Sequence, residues 1–191
     1  TEVKRTFQAW HLGCNTLLPK EIAVLKVLSV SEEFHARFSA LSRTYHYLIY
    51  NHVSRPGLLQ NRVLWEFKPL NLETMNLAAQ TLIGEHDFTS FRSSECQSHS
   101  PFRRMDSIQI RLVDSIHADK LILIELKANA FLHHMVRNIV GTLLPIGKGL
   151  KPISWMKEVL EARDRKMAGY TASAHGLYLV NVEYPICWPL V

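Results

Sequence analysis

The stretch KANAFLHHMVRNIVG, residues 127–141, places an arginine and two adjacent histidines inside an apolar pattern. Its apolar residues recur at helical spacing and predict a helix with a buried face: Phe131, Leu132, Met135, Val136, Ile139 and Val140. An unpaired guanidinium is very costly to bury, so the sequence predicts an anionic partner for Arg137. That partner is either a structural acid such as Glu125 or Asp87, or a catalytic carboxylate or phosphate held in a cleft.

The histidines, His133 and His134, raise the possibility of a metal site on the same helix. Metal ligands on a helix need i,i+3 or i,i+4 spacing, whereas adjacent residues point about 100° apart. No acid or thiol stands three or four residues from either histidine. We therefore expect no metal here, with one ring hydrogen-bonded in the core or at a cleft edge and the other facing the sheet. A metal hydrolase built on the pair remains a further hypothesis.

The rest of the chain alternates between strand-like and helix-like segments. Helices are predicted over 5–18, 71–83, the 127–141 stretch and 152–163; strands over 22–30, 43–51, 62–67, 107–113, 121–129 and 176–185. In the first helix, Phe7, Trp10, Leu17 and Leu18 are the expected core contacts. Successive strands with helices inserted between them indicate an α+β fold, with helices packed on one face of a mostly antiparallel sheet.

Composition is typical of one globular domain over residues 1–191, with 47% apolar and 20% charged residues and a net charge of +5. The positive excess is compatible with a phosphate-rich partner. No apolar run is long enough to cross a bilayer, so we expect no membrane association. Cys14, Cys96 and Cys187 fit neither a metal pattern nor a disulfide framework, which favours a reducing, cytoplasmic setting.

Two further patterns point to RNA. Tyr45 and Tyr47 share one face of a strand that opens with Arg43, and an aromatic face beside arginines can stack an unpaired base. Tyr47 is more simply a core residue. The serine-rich, basic segment 89–104 has almost nothing to bury, and a loop of this length is usually functional or disordered. No nucleophile motif, phosphate loop or dinucleotide fingerprint is present.

Four stretches carry a family resemblance: FHARFSALSRTYHYLIYN (34–51), LIGEHDFTSFR (82–92), ANAFLHHMVRNIVGTLLPIGKG (128–149) and GLYLVNVEYP (176–185). In this order and spacing they closely resemble the TruA family of tRNA pseudouridine synthases, from Ile22 to Pro185. The resemblance implies a pseudouridine synthase-like fold and conversion of uridine to pseudouridine in the anticodon stem-loop of tRNA. It also implies that no metal or organic cofactor is used, and that the protein is a homodimer.

The family's chemistry begins with an aspartate that attacks a flipped-out nucleotide; the base is then detached, rotated and rejoined through carbon. That aspartate lies in a G-R-T-D-x-G-V-H motif, which is absent from this sequence. We therefore expect residues 1–191 to be the C-terminal domain of such an enzyme, inactive alone, without the N-terminal domain that carries the nucleophile. A non-catalytic tRNA-binding or dimerisation module is the alternative.

The resemblance assigns roles by position. Tyr45 would stack on the target base and is a candidate for the proton abstraction that completes the product. Arg137 would pair with the nucleophilic aspartate, and Leu177 would pack against the base. The remaining residues map near the RNA-binding cleft: His35, Arg37, Arg92, Arg103 and Arg104.

Overall fold

The computed structural model describes residues 3–115 and 118–186, and the side chains of residues 118 and 119 lie outside the description. Cys187 lies outside it as well, while Cys14 and Cys96 are free thiols. The described residues form two compact units, one of residues 3–39 with 184–186 and one of residues 40–183. Among them, no helix has the length and apolarity needed to cross a bilayer.

The smaller unit contains helix α1, Phe7–Leu17, which confirms the predicted helix. Thr6 caps it, because its hydroxyl oxygen accepts a hydrogen bond from the backbone of Ala9 at 3.1 Å. The predicted core contacts are wrong: Leu17 is 88% exposed and Phe7 57% exposed, and no residue of α1 is buried. Helical spacing identified the apolar residues of this helix but not a surface for them to pack against.

The strand predicted over residues 22–30 does not form. Within this unit the segment lies beside α1, where the side chain of Asn15 donates to Val24 O at 2.9 Å and accepts from Val24 N at 2.7 Å. A strand needs a neighbouring strand to pair its backbone groups. In the described part of the chain these residues have none, and Leu25 is 89% exposed.

The larger unit is built on a six-stranded sheet. The strands are β1 Ser42–Asn51, β2 Leu64–Glu66, β3 Gly84–Asp87, β4 Phe102–Ser115, β5 Ala118–Ala128 and β6 Leu177–Glu183. Their order across the sheet is β2-β1-β5-β4-β3. Strand β6 pairs with the first half of β1, along the same edge of β1 whose last residues pair with β2. Every pairing is antiparallel except β1 with β2. The α+β prediction is therefore confirmed.

Three helices pack with the sheet around one core: α2 Leu72–Gln80, α3 Met135–Gly147 and α4 Trp155–Ala162. The predicted cap of α2 is confirmed, since the Asn71 side chain accepts from Thr74 N at 3.0 Å. Alternate residues of β1 face this core, and both Tyr47 and Ile49 are completely buried. The same alternation puts Tyr45 on the core side of the sheet.

Residues 127–141 are helical only in their second half. Strand β5 continues to Ala128, a loop follows, and α3 begins at Met135. His134, immediately before the helix, has a left-handed backbone with φ of 61°, a conformation that few residues other than glycine adopt. The predicted helix over the whole stretch is wrong because a tight reversal interrupts the apolar spacing.

Beyond β3, the outer edge of β4 is covered by helix α2. Strand β3 pairs with residues 102–105 of β4. Further along, the side-chain amide of Asn76 bonds both backbone groups of Ile110, at 3.2 Å each. Gln80 donates to Ile108 O at 3.2 Å. Two side chains of a helix thus satisfy backbone groups that a further strand would otherwise pair.

Candidate active site

Arg137 lies in the first turn of α3 and is partly buried. Its Nε donates a hydrogen bond to Ala172 O at 2.6 Å, and Ala172 N donates to Arg137 O at 3.1 Å. The two terminal nitrogens of the guanidinium take no hydrogen-bond or ion-pair partner from residues 3–115 and 118–186. One edge of the fork is therefore anchored, and the other can bind an anion.

The predicted structural ion pair of Arg137 is wrong for both candidate acids. The Glu125 carboxylate lies 2.7 Å from Nε2 of His46, on the strand pair β1–β5. Asp87 lies 3.5 Å from Nε of Arg163 and also accepts hydrogen bonds from Thr89. Neither acid therefore pairs with Arg137, and its role as a cleft arginine stays a prediction.

Tyr45 presents an aromatic ring on the core side of β1. The rings of Tyr45 and Phe131 form a T-shaped pair, with centroids 5.0 Å apart and an interplanar angle of 81°. Burial raises the pKa of the Tyr45 phenol, and the nearby charge of Arg43 opposes that rise. Its hydroxyl makes no hydrogen bond to any described residue, so a partly buried phenol is left for a ligand.

Tyr47 is a core residue, as predicted. It is completely buried, and its hydroxyl donates to Ser173 O at 2.7 Å. Burial raises the pKa of the Tyr47 phenol well above its usual range, the neighbouring Tyr170 adds to the rise, and the positive charge of Arg137 opposes it. Because Arg137 bonds to Ala172 and Tyr47 to Ser173, the start of α3 and the centre of β1 are tied to the same short segment.

Leu177 opens β6 directly opposite Tyr47. Residues directly opposite each other in an antiparallel pair project to the same face of the sheet. Leu177 therefore shares the core side with the two tyrosines, where it is partly buried against the core. The structure thus brings Tyr45, Leu177 and Arg137 to one region at the junction of β1, β6 and α3.

The histidine pair has a geometry that the helical prediction did not allow. Because His134 is left-handed and precedes the helix, the two rings stack, with centroids 3.9 Å apart. Neither ring faces the sheet as expected, since His133 is exposed and His134 partly exposed. Across residues 3–115 and 118–186, no three histidine, cysteine or acidic side chains are grouped closely enough to hold a metal ion.

The arginines of the polar segment have different surroundings. A short 3-10 helix, Thr89–Phe91, buries Ser90 and Phe91 completely, contrary to the expectation that the segment buries almost nothing. Arg92 donates to Cys96 O at 2.7 Å and is partly buried. Arg104 is the most accessible of the three, with its side chain 57% exposed and 2.8 Å from Asp106.

The guanidinium of Arg103 hydrogen-bonds to residues of the polar segment that precedes it. It donates to Ser100 O at 3.0 Å and to the Ser98 hydroxyl at 2.6 Å. Its Nε is buried and has no hydrogen-bond partner among the described residues. Burial lowers the pKa of Arg103, and the charges of Arg92 and Arg43 add to that effect. Cys96 opposes this shift, so the Arg103 guanidinium lies near two other positive charges and one thiol at this end of the sheet.

His35 and Arg37 belong to the smaller unit. The Nδ1 of His35 accepts from Arg37 N at 3.1 Å, and its ring lies 4.4 Å from that of Phe38. The Arg37 guanidinium stands 5.5 Å from the centre of the Phe38 ring. Their predicted role near RNA stays a prediction.

Two features of the site were missed from the sequence. Phe131, predicted to face the helix core, instead contacts Tyr45 from the loop before α3. Asn138 is completely buried beside Arg137, and its side chain bonds three residues of two other segments. A polar residue in the apolar run VRNIVG was the available signal for Asn138, as it was for Arg137.

Known proteins resemble this chain along nearly its whole length. A family profile described as tRNA pseudouridine synthase matches residues 78–185. The tRNA pseudouridine synthase A of Legionella pneumophila is 50% identical over 184 residues, covering 96% of this chain and 68% of that protein. The proteins of the same name from Tolumonas auensis and Vibrio vulnificus are 49% and 51% identical, covering 100% and 97% of this chain and 71% and 68% of their own lengths.

Proposed function

The chain belongs to the tRNA pseudouridine synthase family, and on that premise we propose that it isomerises uridine to pseudouridine in tRNA. The observation that carries this proposal is the Arg137 guanidinium, anchored at Nε with its terminal nitrogens unpartnered in the described residues. A carboxylate nucleophile has to stay ionised inside a closed site, and an adjacent arginine favours the ionised form. Arg137 is arranged to serve that purpose.

The neighbouring residues suit a base that has left the helical stack. Unstacking a nucleotide costs a few kcal/mol, which contact with an aromatic ring offsets. Tyr45 offers such a ring, and its hydroxyl has no partner among the described residues. Leu177 adds an apolar surface on the same side of the sheet. We assign Tyr45 to base contact and to the final proton abstraction, and Leu177 to packing against the base.

We assign the nucleophile to an aspartate outside these 191 residues. Two of the aspartates within the chain are engaged elsewhere: Asp87 with Arg163 and Thr89, and Asp106 with Arg104. Asp164 caps a short 3-10 helix by accepting from Lys166 N at 2.9 Å. In this proposal the chain is the C-terminal domain of a longer synthase, and the fragment alone does not turn over.

The finer parts of the proposal rest on the family resemblance. They are that the target uridines lie in the anticodon stem-loop, that the enzyme is a homodimer, and that it acts in the cytoplasm. The arginines at positions 92, 103 and 104, with Arg37 and His35, are assigned to the RNA phosphates. The alternative of a non-catalytic tRNA-binding or dimerisation module is not favoured, because the relatives are named as synthases.

The test uses the full-length protein and tRNA from a strain that lacks the synthase. Chemical mapping of pseudouridine should reveal modification in the anticodon stem-loop with the wild type. Arg137→Ala should reduce the rate by on the order of 100-fold or more, as does removal of a preorganised charge-stabilising group from an active site. Unmodified tRNA after incubation with the wild type would falsify the proposal.

Arg111→Ala is the matched control. Arg111 is exposed and lies next to core-facing Ile110 on β4, so its side chain projects from the opposite face of the sheet. We expect this variant to modify tRNA at the wild-type rate. If both arginine variants lost activity equally, the special role of Arg137 would be wrong.

A further inference from the structure

Asn138 follows Arg137 in the first turn of α3 and is completely buried. Its Nδ2 donates to Phe91 O at 2.8 Å. Its Oδ1 accepts from the hydroxyl of Thr171 at 2.7 Å and from Arg165 at 3.1 Å. A buried amide with both ends satisfied fixes the groups around it, because any displacement leaves a buried polar atom unpaired.

The guanidinium of Arg165 points to the side chain of Asn138. It donates to Gly169 O at 2.8 Å and to the Thr171 hydroxyl at 3.0 Å, besides Asn138. No carboxylate of the described residues lies within ion-pair distance of it. Its charge is therefore balanced by the dipoles of residues 138, 169 and 171, and these hold the segment Arg165–Ser173, hereafter the clamp, in a curled form.

The clamp lies against α3 at backbone distance. A side chain on Gly141 would come within 1.7 Å of Tyr170 O, and one on Gly169 within 2.1 Å of Gly141 O. The Thr142 hydroxyl bridges the two elements, donating to Asn138 O at 2.8 Å and accepting from Gly169 N at 3.0 Å. Two glycines and a threonine thus let helix and clamp touch without intervening side chains.

The end of the clamp is what contacts Arg137. Ala172 accepts from Arg137 Nε, and Tyr47 fixes the next residue, Ser173, through its hydroxyl. We propose that Asn138, Arg165 and Thr171 are positioning residues, which lock the clamp so that Ala172 O sets the orientation of the Arg137 guanidinium. This inference rests on the proposed function, and it adds to it residues that touch neither substrate nor nucleophile.

Thr171→Val is the sharpest test, because valine keeps the shape of threonine and removes the hydroxyl that donates to Asn138 and accepts from Arg165. In the full-length protein we expect the single-turnover rate to fall by roughly 10- to 100-fold, the size expected when a catalytic group is displaced by about 1 Å. The Kd for tRNA should stay unchanged. Thr171→Ser, which retains the hydroxyl, should recover most of the rate, and Thr74→Val on α2 should behave as wild type.

The pH profile separates positioning from mere stability. A loosened arginine favours the charged carboxylate less, so the acidic limb of kcat/KM should move to higher pH in Thr171→Val. A wild-type rate in Thr171→Val overturns the proposal. So does a lower rate that comes with an unmoved acidic limb, since only foldedness would then have changed.

A measurement that does not depend on enzymatic activity tests this inference separately from the proposed function. The Nε–H of Arg137 should exchange slowly with solvent in nuclear magnetic resonance spectra of the wild type, and faster in Thr171→Val. If wild type does not modify tRNA but this difference is seen, the proposed function fails and the clamp stands. Equal exchange in both proteins overturns the clamp, whatever the activity.

Discussion

Arg137 and Arg103 are two partly buried arginines held in opposite ways. Arg103 directs its terminal nitrogens back to Ser98 and Ser100 of its own loop, and its buried Nε finds no partner within residues 3–115 and 118–186. Arg137 uses its Nε for a backbone carbonyl of the clamp, and its terminal nitrogens have no partner in the described residues. The first arrangement closes a loop, whereas the second presents a planar fork that matches a carboxylate. The position of the anchored nitrogen, more than burial, separates an arginine that holds its own loop from one whose fork is open to a carboxylate.

The largest expected difference in activity between the two arginines appears when each is replaced by lysine. Arg137→Lys keeps the charge but has no second nitrogen to hold Ala172 while binding an anion. We expect pseudouridine formation to fall by on the order of 100-fold. Arg103→Lys should retain most of the activity. Single-turnover assays of the two full-length variants test this, and equal losses would remove the distinction between the two sites.

Tyr47→Phe and Tyr45→Phe test how much each tyrosine hydroxyl near Arg137 contributes to the stability of the fold. Removing the Tyr47 hydroxyl leaves Ser173 O without its buried donor, and the free energy of unfolding should fall by about 1–3 kcal/mol. Tyr45→Phe removes a hydroxyl with no partner among the described residues and should change stability by less than about 0.5 kcal/mol. Urea denaturation measures both, and a more destabilised Tyr45→Phe would contradict the assignment.

Arg103→Ala tests whether Arg103 stabilises the loop that contains Ser98 and Ser100. The carbonyl of Ser100 and the hydroxyl of Ser98 lose the hydrogen bonds that Arg103 donates to them, with an expected loss of about 1 kcal/mol in the free energy of unfolding. Affinity for tRNA should also decrease, with a shallower dependence on salt concentration. Arg111→Ala serves as the control. Identical unfolding midpoints for the two variants would show that Arg103 does not hold the loop.

The smallest effect is a pH shift beside Arg137. Partial burial lowers the pKa of His134, and the nearby charges of His133, Arg137 and Arg165 lower it further, while Glu95 opposes them. The neutral ring is therefore favoured in the folded state. This contribution to stability is complete above the unfolded pKa of about 6.5 and is lost as pH falls through the lower folded value.

Nuclear magnetic resonance titration of His134 measures this shift directly. The pKa should lie below the ordinary histidine value in the wild type and rise toward it in Arg137→Gln. Arg103→Gln should leave it unmoved. A pKa at or above the ordinary value in the wild type would be incompatible with the described surroundings.

Most elements could be predicted from the sequence, because their apolar residues repeat at the spacing of a strand or a helix. The exceptions have physical causes. Strand β3, GEHD, has neither apolar residues nor alternation, and it forms only because β4 offers an edge. The segment 22–30 has the pattern of a strand but no described partner. The break before Met135 depends on a left-handed His134, a conformation that is uncommon for any residue other than glycine and therefore hard to predict.

The candidate site also has a part that could be predicted from the sequence and a part that could not. That Arg137 needs a ligand follows from one charge among apolar residues, which is a local property of the sequence. The clamp could not be predicted, because Asn138, Arg165 and Thr171 are brought together only by folding. Family resemblance named Tyr45 and Leu177 as the residues expected to meet the base, whereas the residues proposed to orient Arg137 emerge only from the folded structure.

Helix α2 has a consequence beyond packing. By pairing with Ile110 as a neighbouring strand would, Asn76 ends the sheet without another strand. An open sheet edge presents unpaired backbone groups to which a strand of another chain can add. One amide side chain, placed at the right turn of a helix, thus removes two of these groups from the edge of β4 and makes that stretch a poorer template for edge-to-edge association.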